Sequence, residues 1–378
     1  MGRSTAIMRP VSMVKENMRL EALDHLYETC PRREVSCDEP IVVFSDLHMG
    51  NGSRNDDFRH NGSLFRTVLE TYYASRDYHL VLNGDVEDLQ RFSLRSIVHR
   101  WREVYQALAA VAERGGLTRI VGNHDLEWLE GGPAVSALAT IGRGHWPDLF
   151  TDPVHEALRL GCPVGDILIF HGHQTSWWYQ NHNNIGRVLL RYLANPLHIS
   201  SPNVSADSRK RFKVERRAYQ FASNRKLLAM IGHTHRPLFE SMAKVDSVLF
   251  EIELLCRQYP ESERPQELES RVAELKAELA LIRETEEQDR SHASLYRENL
   301  LVPCLFNSGT VLGKWGITCL EVSGGRLRLV YWFDSTRKHR YRRFRELAPE
   351  PLRGTPYRRI VIKEEELTYI FSRIRLLA

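Results

Sequence analysis

The stretch Ile41-Val-Val-Phe-Ser-Asp-Leu-His48 decides the fold of this 378-residue chain. Its first four residues are apolar and Ser45 ends the run, a pattern that is typical of a short buried strand. Asp46 and His48 lie two positions apart on an extended segment, so their side chains point to the same side and can reach one ion. The stretch therefore predicts a buried strand with metal-competent side chains at its carboxyl end.

Four more apolar runs end in the same way. The runs and their polar ends are His79–Leu82 before Asn83-Gly-Asp85, Arg119–Val121 before Gly122-Asn-His-Asp125, Ile167–Phe170 before His171-Gly-His173, and Leu227–Ile231 before Gly232-His-Thr-His235. Helical patterns at Gly62 to Tyr73 and at Leu94 to Glu113 separate the first three runs. Because ligand sites in layered α/β folds gather at the carboxyl ends of strands, these ends predict one shared site.

Strand patterns continue in the C-terminal part of the chain. The runs are Leu305–Thr310, Gly316–Val322 and Arg326–Phe333, and Gly324-Gly325 separates the last two. Two adjacent glycines between apolar runs are a hairpin signal. These runs predict antiparallel strands that complete a second sheet.

A basic insert lies between the fourth and fifth polar ends, from about Gln174 to Arg225. It begins with Trp177 and Trp178, and Arg187 and Arg191 follow at a spacing that shares one helix face. Its position predicts a lid over the site, with arginines that hold a second phosphate or a polyanionic leaving group. The tryptophans would stack on a base or pack on an acyl chain. The alternative is a solvated helical face.

A second insert, from about Lys244 to His292, is acidic and has a heptad-like apolar pattern. Its apolar positions are Val245, Val248 or Leu249, Ile252, Leu255 and Tyr259, and then Leu268, Val272, Leu275, Leu279 and Ile282. Prolines 260 and 265 separate the two halves, so the pattern predicts an antiparallel helical hairpin. Its seam either only closes the two helices on each other or also binds a second copy of the chain or another protein.

The candidate ligands share oxygen or nitrogen donors and include no sulfur. They are Asp46, His48, Asp85, Asn123, His171, His233 and His235. Mixed oxygen and nitrogen ligation suits Mn, Fe, Zn or Ni, and the imidazoles argue against Mg alone. The two carboxylate oxygens of Asp85 could bridge two ions.

The five polar blocks, in this order, resemble the signature of the calcineurin-like metallophosphoesterases. They span about residues 41 to 236, and Asn307-x-Gly309 fits the strand that follows. The resemblance implies a four-layer α-β-β-α sandwich and two divalent cations, with manganese expected and Fe, Zn, Ni or Mg as alternatives. It implies that one cation takes Asp46, His48, Asp85 and His235, and that the other takes Asp85, Asn123, His171 and His233.

The resemblance also implies a reaction, the hydrolysis of a phosphoester or pyrophosphate bond. Two cations about 3.5–4 Å apart lower the pKa of a bridging water, which attacks phosphorus in line. His124 matches the histidine beside the scissile oxygen, where it stabilises charge or protonates the leaving group. Asp88 and Asp125 are expected either to orient imidazoles or to bond to strand ends. Glu87 is expected to be a solvated side chain.

Three other functions remain open. The basic insert resembles the lid of bacterial UDP-diacylglucosamine hydrolases, which suggests a UDP-sugar-lipid pyrophosphatase. Those enzymes usually carry arginine where this chain has His124, and the helical hairpin is not expected in them. A DNA nuclease or phosphodiesterase of the repair type fits His124 and the basic stretches, but no capping domain is evident. A non-catalytic scaffold is the third, although such proteins usually lose ligands.

The predicted organisation has five parts. They are an N-terminal helical leader at 1–38, the core with its lid (174–225) at 39–243, the hairpin at 244–292, a continuation of the core at 293–348, and a C-terminal tail at 349–378. The basic aromatic stretch Arg337 to Arg345 suggests contact with anionic lipid or nucleic acid. The amphipathic stretch Tyr369 to Leu377 would pack on the core or on a membrane.

Net charge, cysteine usage and apolar runs indicate where the protein acts and what it binds. The formal net charge of +4 gives no independent reason to expect a nucleic-acid partner. The six cysteines form no CxxC pair, which favours thiols in a reducing cytosol. No signal peptide is recognisable, and no run approaches the roughly 18 apolar residues of a membrane span. We therefore expect a cytoplasmic protein that contacts a membrane only peripherally.

Overall fold

The computed structural model describes most of the chain. The described residues are 11–129, 153–176, 208–239, 259–261, 265–290, 302–337 and 347–378, together with 248, 252 and 255–256. The predicted substrate contacts Trp177, Trp178, Arg187 and Arg191 lie outside these ranges, as does the basic stretch beyond Arg337. None of the helices in these ranges combines the length and the apolar character that crossing a bilayer requires.

The described residues form twelve strands and seven α-helices. The strands in the described ranges are Arg32–Glu34 (β1), Ile41–Phe44 (β2), His79–Asn83 (β3), Leu117–Ile120 (β4), Ala157–Cys162 (β5), Gly165–Phe170 (β6), Leu228–Ile231 (β7), Leu305–Asn307 (β8), Gly316–Ser323 (β9), Arg326–Asp334 (β10), Glu350–Pro351 (β11) and Tyr357–Glu366 (β12). The α-helices are Val11–Thr29 (α1), Gly62–Val68 (α2), Leu94–Arg100 (α3), Arg102–Gly115 (α4), Ser208–Arg225 (α5), Pro265–Arg290 (α6) and Leu367–Leu377 (α7).

The strands form two sheets. One has the order β1-β5-β6-β7-β8, and the other has the order β11-β12-β10-β9-β2-β3-β4. Strands β2, β3 and β4 are parallel neighbours, and so are β6, β7 and β8. The predicted hairpin joins β9 to β10 through Gly324 and Gly325, both of which have positive φ. The mixed α/β sandwich expected from the sequence is confirmed.

Both faces of the central strands are buried. Val42 and Phe44 face a core that also contains the apolar sides of α2, α3 and α4. Ile41 and Val43 face a second core, which contains the β5–β8 sheet and the helices α1 and α5. Successive residues of a strand point to opposite faces, so a strand with helices on one side and a sheet on the other is apolar throughout. This is why all four residues of β2 are apolar.

The two predicted helices differ from the expectation. The first, from Gly62, continues after α2 as a π-helical turn at Leu69–Tyr73. The second is broken at Trp101, which separates α3 from α4. The Trp101 indole donates to Asp56 Oδ2 (3.1 Å) and packs edge-on against Phe58, with ring centroids 4.8 Å apart. These contacts join distant parts of the chain and hold Trp101 outside helical geometry. The spacing of apolar residues along the helix cannot predict them.

The predicted leader and tail are parts of the sandwich. In the leader, Leu23 of α1 is buried in the second core, and β1 pairs in parallel with β5. In the tail, β12 pairs with β10 and α7 buries Phe371 in the second core. The tail therefore packs on the core, one of the two outcomes left open. Strand β12 belongs to the same sheet as β2, so the predicted tail contributes a strand to that sheet.

The helical hairpin is described only in part. Val248 is buried together with Leu275 and Leu279 of α6, and Ile252 and Leu255 pack against them. These residues belong to the two predicted apolar series. Within the described part of this insert, the seam packs the two halves against each other.

Candidate metal centre

The predicted ligands lie in loops at the carboxyl ends of five strands. Asp46 and His48 follow β2, Asp85 follows β3, and Asn123 follows β4 in the same sheet. His171 follows β6, and His233 and His235 follow β7 in the other sheet. The candidate centre therefore lies where the carboxyl ends of strands from both sheets meet.

The backbone at this centre is strained. Among non-glycine residues in the described ranges, positive φ occurs at five of the predicted ligands: Asp46 (55°), His48 (45°), Asp85 (53°), His233 (65°) and His235 (55°). It occurs elsewhere only at Asp77 and Lys226. Such conformations cost of the order of 1–3 kcal/mol each and persist where the surroundings impose them. Their concentration on the predicted ligands is typical of a functional site.

Three glycines allow the ligand loops to approach. A Cβ at Gly122 would lie 2.0 Å from Asp85 Oδ1, and one at Gly84 would lie 2.5 Å from His171 Nδ1. A Cβ at Gly232 would lie 2.7 Å from Asp46 Oδ2. Gly84 also has a φ of 80°, which favours glycine. No larger residue fits at these positions without displacing a predicted ligand.

The first group of ligand atoms comes from Asp46, His48 and His235. His235 Nε2 lies 3.0 Å from Asp46 Oδ1 and 3.2 Å from His48 Nε2. His48 Nε2 lies 3.6 Å from Asp85 Oδ2. One ligand atom from each of the three residues lies within 4.8 Å of the others, so a single ion can contact all three.

The second group comes from Asp85, His171 and His233. One ligand atom from each of these residues also lies within 4.8 Å of the others. His171 Nδ1 lies 2.8 Å from the Asn83 carbonyl, and its Nε2 lies 3.1 Å from Asp85 Oδ2. Asn123 Oδ1 is buried and has no hydrogen-bond partner among the residues that the structure describes. A buried carbonyl oxygen without a donor is costly unless a ligand satisfies it, so these residues fit a cation.

Charge at the centre favours a cation as well. Burial opposes the charged form of His171, but the carboxylates of Asp85 and Asp46 outweigh it and raise its pKa to about 10. Burial lowers the pKa of His48 to about 4, and burial together with the charge on His171 lowers that of His233 to about 3. Despite burial, neighbouring histidines lower the pKa of Asp46 to about 2 and that of Asp85 well below its usual value. The carboxylates of Asp46 and Asp85 are therefore ionised, and the imidazoles of His48 and His233 are neutral, whereas that of His171 holds a proton that a cation would displace.

His124 lies at the open side of the centre. Its ring packs edge-on against His48 at 4.6 Å, and a quarter of its side chain is exposed. Its Nδ1 lies 3.1 Å from Asp88 Oδ1, and its backbone N–H donates to Asp85 Oδ1 (2.8 Å). Burial opposes the charged form, but Asp85 and Asp88 raise the pKa of His124. A protonated imidazole with one exposed edge is suited to donate a proton.

Asp125 contacts the backbone of the ligand loops. Its two oxygens accept from the Gly122 N–H (2.6 Å) and the Val86 N–H (2.7 Å), which joins the ends of β3 and β4. Burial and the charges of Asp85 and Glu87 raise its pKa to about 7. Of the two roles expected for Asp125, the geometry favours bonding to strand ends, whereas Asp88 lies against an imidazole.

The expectation that Glu87 is solvated is wrong. Glu87 is fully buried, and it accepts from Tyr105 Oη (2.8 Å), Trp128 Nε1 (2.8 Å) and Arg119 Nη2 (2.6 Å). These partners come from three other segments of the chain, so the residues next to Glu87 in the sequence do not predict the network. Asn83 has a role that its sequence pattern does not predict. Its carbonyl lies 2.8 Å from His171 Nδ1 and orients that ring, and its side chain donates to the Phe170 carbonyl (3.0 Å). Its place before Gly84 at a strand end was the available signal.

Comparison with known proteins identifies the family of the chain. A model of the calcineurin-like phosphoesterase family matches residues 39–237. Among solved structures, the chain is similar to a dimetal phosphatase from Danio rerio, with 12% identity, 77% of this chain and 95% of that chain covered, and a TM-score of 0.33. No curated protein matches the chain. The family match covers more than half of the chain and includes all five polar blocks, so this chain belongs to the calcineurin-like phosphoesterase family and is a metal-dependent hydrolase of phosphoester bonds.

Proposed function

We propose that the chain cleaves its phosphoester or pyrophosphate substrate at a centre of two divalent cations that share Asp85. One cation would be held by Asp46, His48, Asp85 and His235, and the other by Asp85, Asn123, His171 and His233. The observation that carries this proposal is the position of Asp85 Oδ2. It lies 3.6 Å from His48 Nε2 and 3.1 Å from His171 Nε2, between the two groups of ligands.

When bound, the two cations would neutralise phosphoryl oxygens and activate the water that attacks phosphorus. The residues of the chain provide the geometry. The Oδ1 of Asp85 accepts from the His124 N–H, which fixes the orientation of the shared carboxylate. The nitrogen and oxygen donors favour manganese, with iron, zinc, nickel or magnesium as alternatives.

His124 would act as the acid in this reaction. Burial opposes the charged form, but the charges of Asp85 and Asp88 raise the pKa of the ring, which favours the protonated imidazole that an acid requires. Protonation of the leaving oxygen by a positioned side chain contributes about 10²–10⁴-fold to the rate. Substrates with poor leaving groups should depend on it most.

The substrate is expected to carry further negative charge. Helix α5 packs near the His171 loop, where Arg217 Nη1 donates to the Thr175 carbonyl (3.1 Å). Its first two turns carry Lys210, Arg211 and Lys213, all at least partly exposed. Cationic side chains next to the centre would favour a substrate with a second phosphate, as in a nucleotide-sugar lipid or a nucleic acid.

An activity screen with matched variants tests the proposal. Manganese-loaded protein should hydrolyse one or more of phosphomonoesters, phosphodiesters, cyclic nucleotides, UDP-sugars and DNA. Asp85→Ala should abolish the activity and His124→Ala should lower it, whereas the exposed Glu103→Ala should leave it unchanged. Activity that survives Asp85→Ala would contradict the shared-ligand assignment. If a loaded protein cleaves none of these substrates, the scaffold hypothesis gains support.

A further inference from the structure

A loop leads from the metal centre to an exposed corner of the molecule. The loop at residues 310–315 is fixed at its start, because Thr310 Oγ1 (3.0 Å) and the Val311 N–H (3.3 Å) both donate to the Asp46 carbonyl. It ends at Gly316, the first residue of β9. The start of the loop therefore lies against the backbone of a predicted ligand, near the carboxyl end of β2.

Two other segments meet this loop. The side chain of Asn61, fully buried, donates to the carbonyls of Val311 (2.6 Å) and Gly313 (2.8 Å). Arg337 Nη2 donates to the His60 carbonyl (2.6 Å). Gly316 pairs with Phe333, so the turn at residues 334–337 adjoins the loop at the end of the hairpin. We name the joint surface of residues 54–60, 310–315 and 334–337 the Trp315 corner.

The Trp315 corner combines an exposed aromatic ring with positive charge. Trp315 is 47% exposed, and the Lys314 ammonium lies 4.8 Å from its ring centroid. Arg54, Arg59 and His60 are exposed on the neighbouring segment. The corner also contains three aspartates. Asp57 is paired with Arg91 (3.7 Å) and Asp334 with Arg337 (3.4 Å), and Asp56 is buried, where it accepts from the Trp101 indole (3.1 Å). The exposed charge that these pairs leave is therefore positive.

We infer that the Trp315 corner docks the protein on an anionic bilayer surface. A tryptophan beside a lysine suits the membrane–water interface, since the ring enters the headgroup region and the ammonium pairs with anionic headgroups. The corner thereby brings the metal centre near the lipid surface.

Nucleic acid fits this surface less well. Single-stranded nucleic acid is held by successive stacking platforms along a basic groove, whereas the described residues of the corner offer Trp315 as their one exposed large aromatic ring. Reading of duplex DNA uses a projecting helix or ribbon that enters a groove. The corner is instead made of three short loops that are bonded to each other.

Vesicle binding tests the inference without any substrate. The full metal-loaded chain should co-sediment with vesicles of phosphatidylcholine and phosphatidylglycerol and not with vesicles of phosphatidylcholine alone, and 0.5 M salt should release it. Lys314→Gln should weaken binding about fivefold, as expected for one basic residue near an anionic surface. Trp315→Phe should remove the quenching of tryptophan fluorescence by brominated lipid.

Matched controls distinguish the corner from general charge. Tyr369→Ala (51% exposed, on α7) and the exposed Arg353→Gln lie outside the corner and should bind vesicles like the unmodified chain. Thermal unfolding should be the same for all variants. The inference is overturned if Lys314→Gln binds as tightly as the controls, or if the quenching by brominated lipid persists in Trp315→Phe. It is also overturned if the chain binds no anionic vesicle and binds DNA through Lys314 instead.

Discussion

At the scale of the residue, the loops of the centre pack so closely that a side chain has no room at Gly84, Gly122 or Gly232. Asp46, Asp85 and His233 adopt positive φ, and the neighbouring glycines have no room for a side chain. Their loops therefore hold the ligand atoms in place before any cation arrives. Such preorganisation is what a site needs if bound cations are to be set at a fixed separation.

Gly122→Ala should disable the centre without unfolding the protein. The new methyl group would lie 2.0 Å from Asp85 Oδ1, so the shared carboxylate must move. We expect the manganese content to fall below two ions per chain and activity to fall at least tenfold. Metal analysis and a rate assay measure this. As a control, Gly354→Ala meets nothing within 4 Å, and its φ of 75° should cost only about 1 kcal/mol. Equal metal content in the two variants would contradict the prediction.

The affinity for metal should rise with pH. In the metal-free protein His171 has a pKa raised to about 10, so it holds a proton at neutral pH that a cation must displace. Asp46 and Asp85 are already ionised there and release no proton. Each unit of pH between 6 and 8 should therefore tighten manganese binding up to about tenfold. Calorimetry in two buffers with different ionisation heats counts the released protons. An affinity independent of pH would show that His171 is neutral before binding.

At the scale of the element, the ends of β3 and β4 are joined by buried polar bonds. Asp125 bonds to backbone on both sides, and Glu87 bonds to Arg119 on β4, to Tyr105 on α4 and to Trp128. The network holds the helix layer and the ligand loops in one arrangement. The contribution of such a network is clearest when one partner is removed and a buried charge is left behind.

Glu87→Gln should destabilise the protein strongly, because the Arg119 guanidinium would lose its buried counter-charge. We expect the free energy of unfolding to fall by about 3–5 kcal/mol, measured by urea denaturation. The control Glu103→Gln breaks an ion pair with Arg66 in which the glutamate is 72% exposed, and should cost less than about 1 kcal/mol. A loss below 1 kcal/mol for Glu87→Gln would indicate that the network is not a major source of stability.

Elements dominated by local pattern were predictable from the sequence, and those dominated by distant partners were not. Strand β2 has the predicted bounds because its apolar run ends abruptly at Ser45. The break at Trp101 depends on Asp56, and the burial of Glu87 depends on three distant donors. Strand β12 is mostly charged and does not resemble a strand of a core sheet. Its charges are balanced across the strands, for example by Arg328 on β10, which bonds to Glu364 (3.0 Å).

At the scale of the whole molecule, both ends of the described chain close the same core. Leu23 and Leu26 of α1 and Ile370 and Phe371 of α7 are buried in the second core. Phe371 lies against the turn between β5 and β6, since a Cβ at Gly165 would lie 2.4 Å from its ring. The β5–β8 sheet carries His171, His233 and His235, so its packing bears on the metal centre as well as on stability.

Loss of the C-terminal packing should therefore be costly. Phe371→Ala should lower the free energy of unfolding by about 3–5 kcal/mol, because it opens a cavity beside β6. Tyr369→Ala, 51% exposed on the same helix, is the matched control and should cost less than about 1 kcal/mol. Removal of residues 349–378 should yield an aggregated chain, because it strips β12 from β10 along its whole length. A truncated chain that stays folded and retains its metal would contradict this prediction and would show that the segment is not needed for the core.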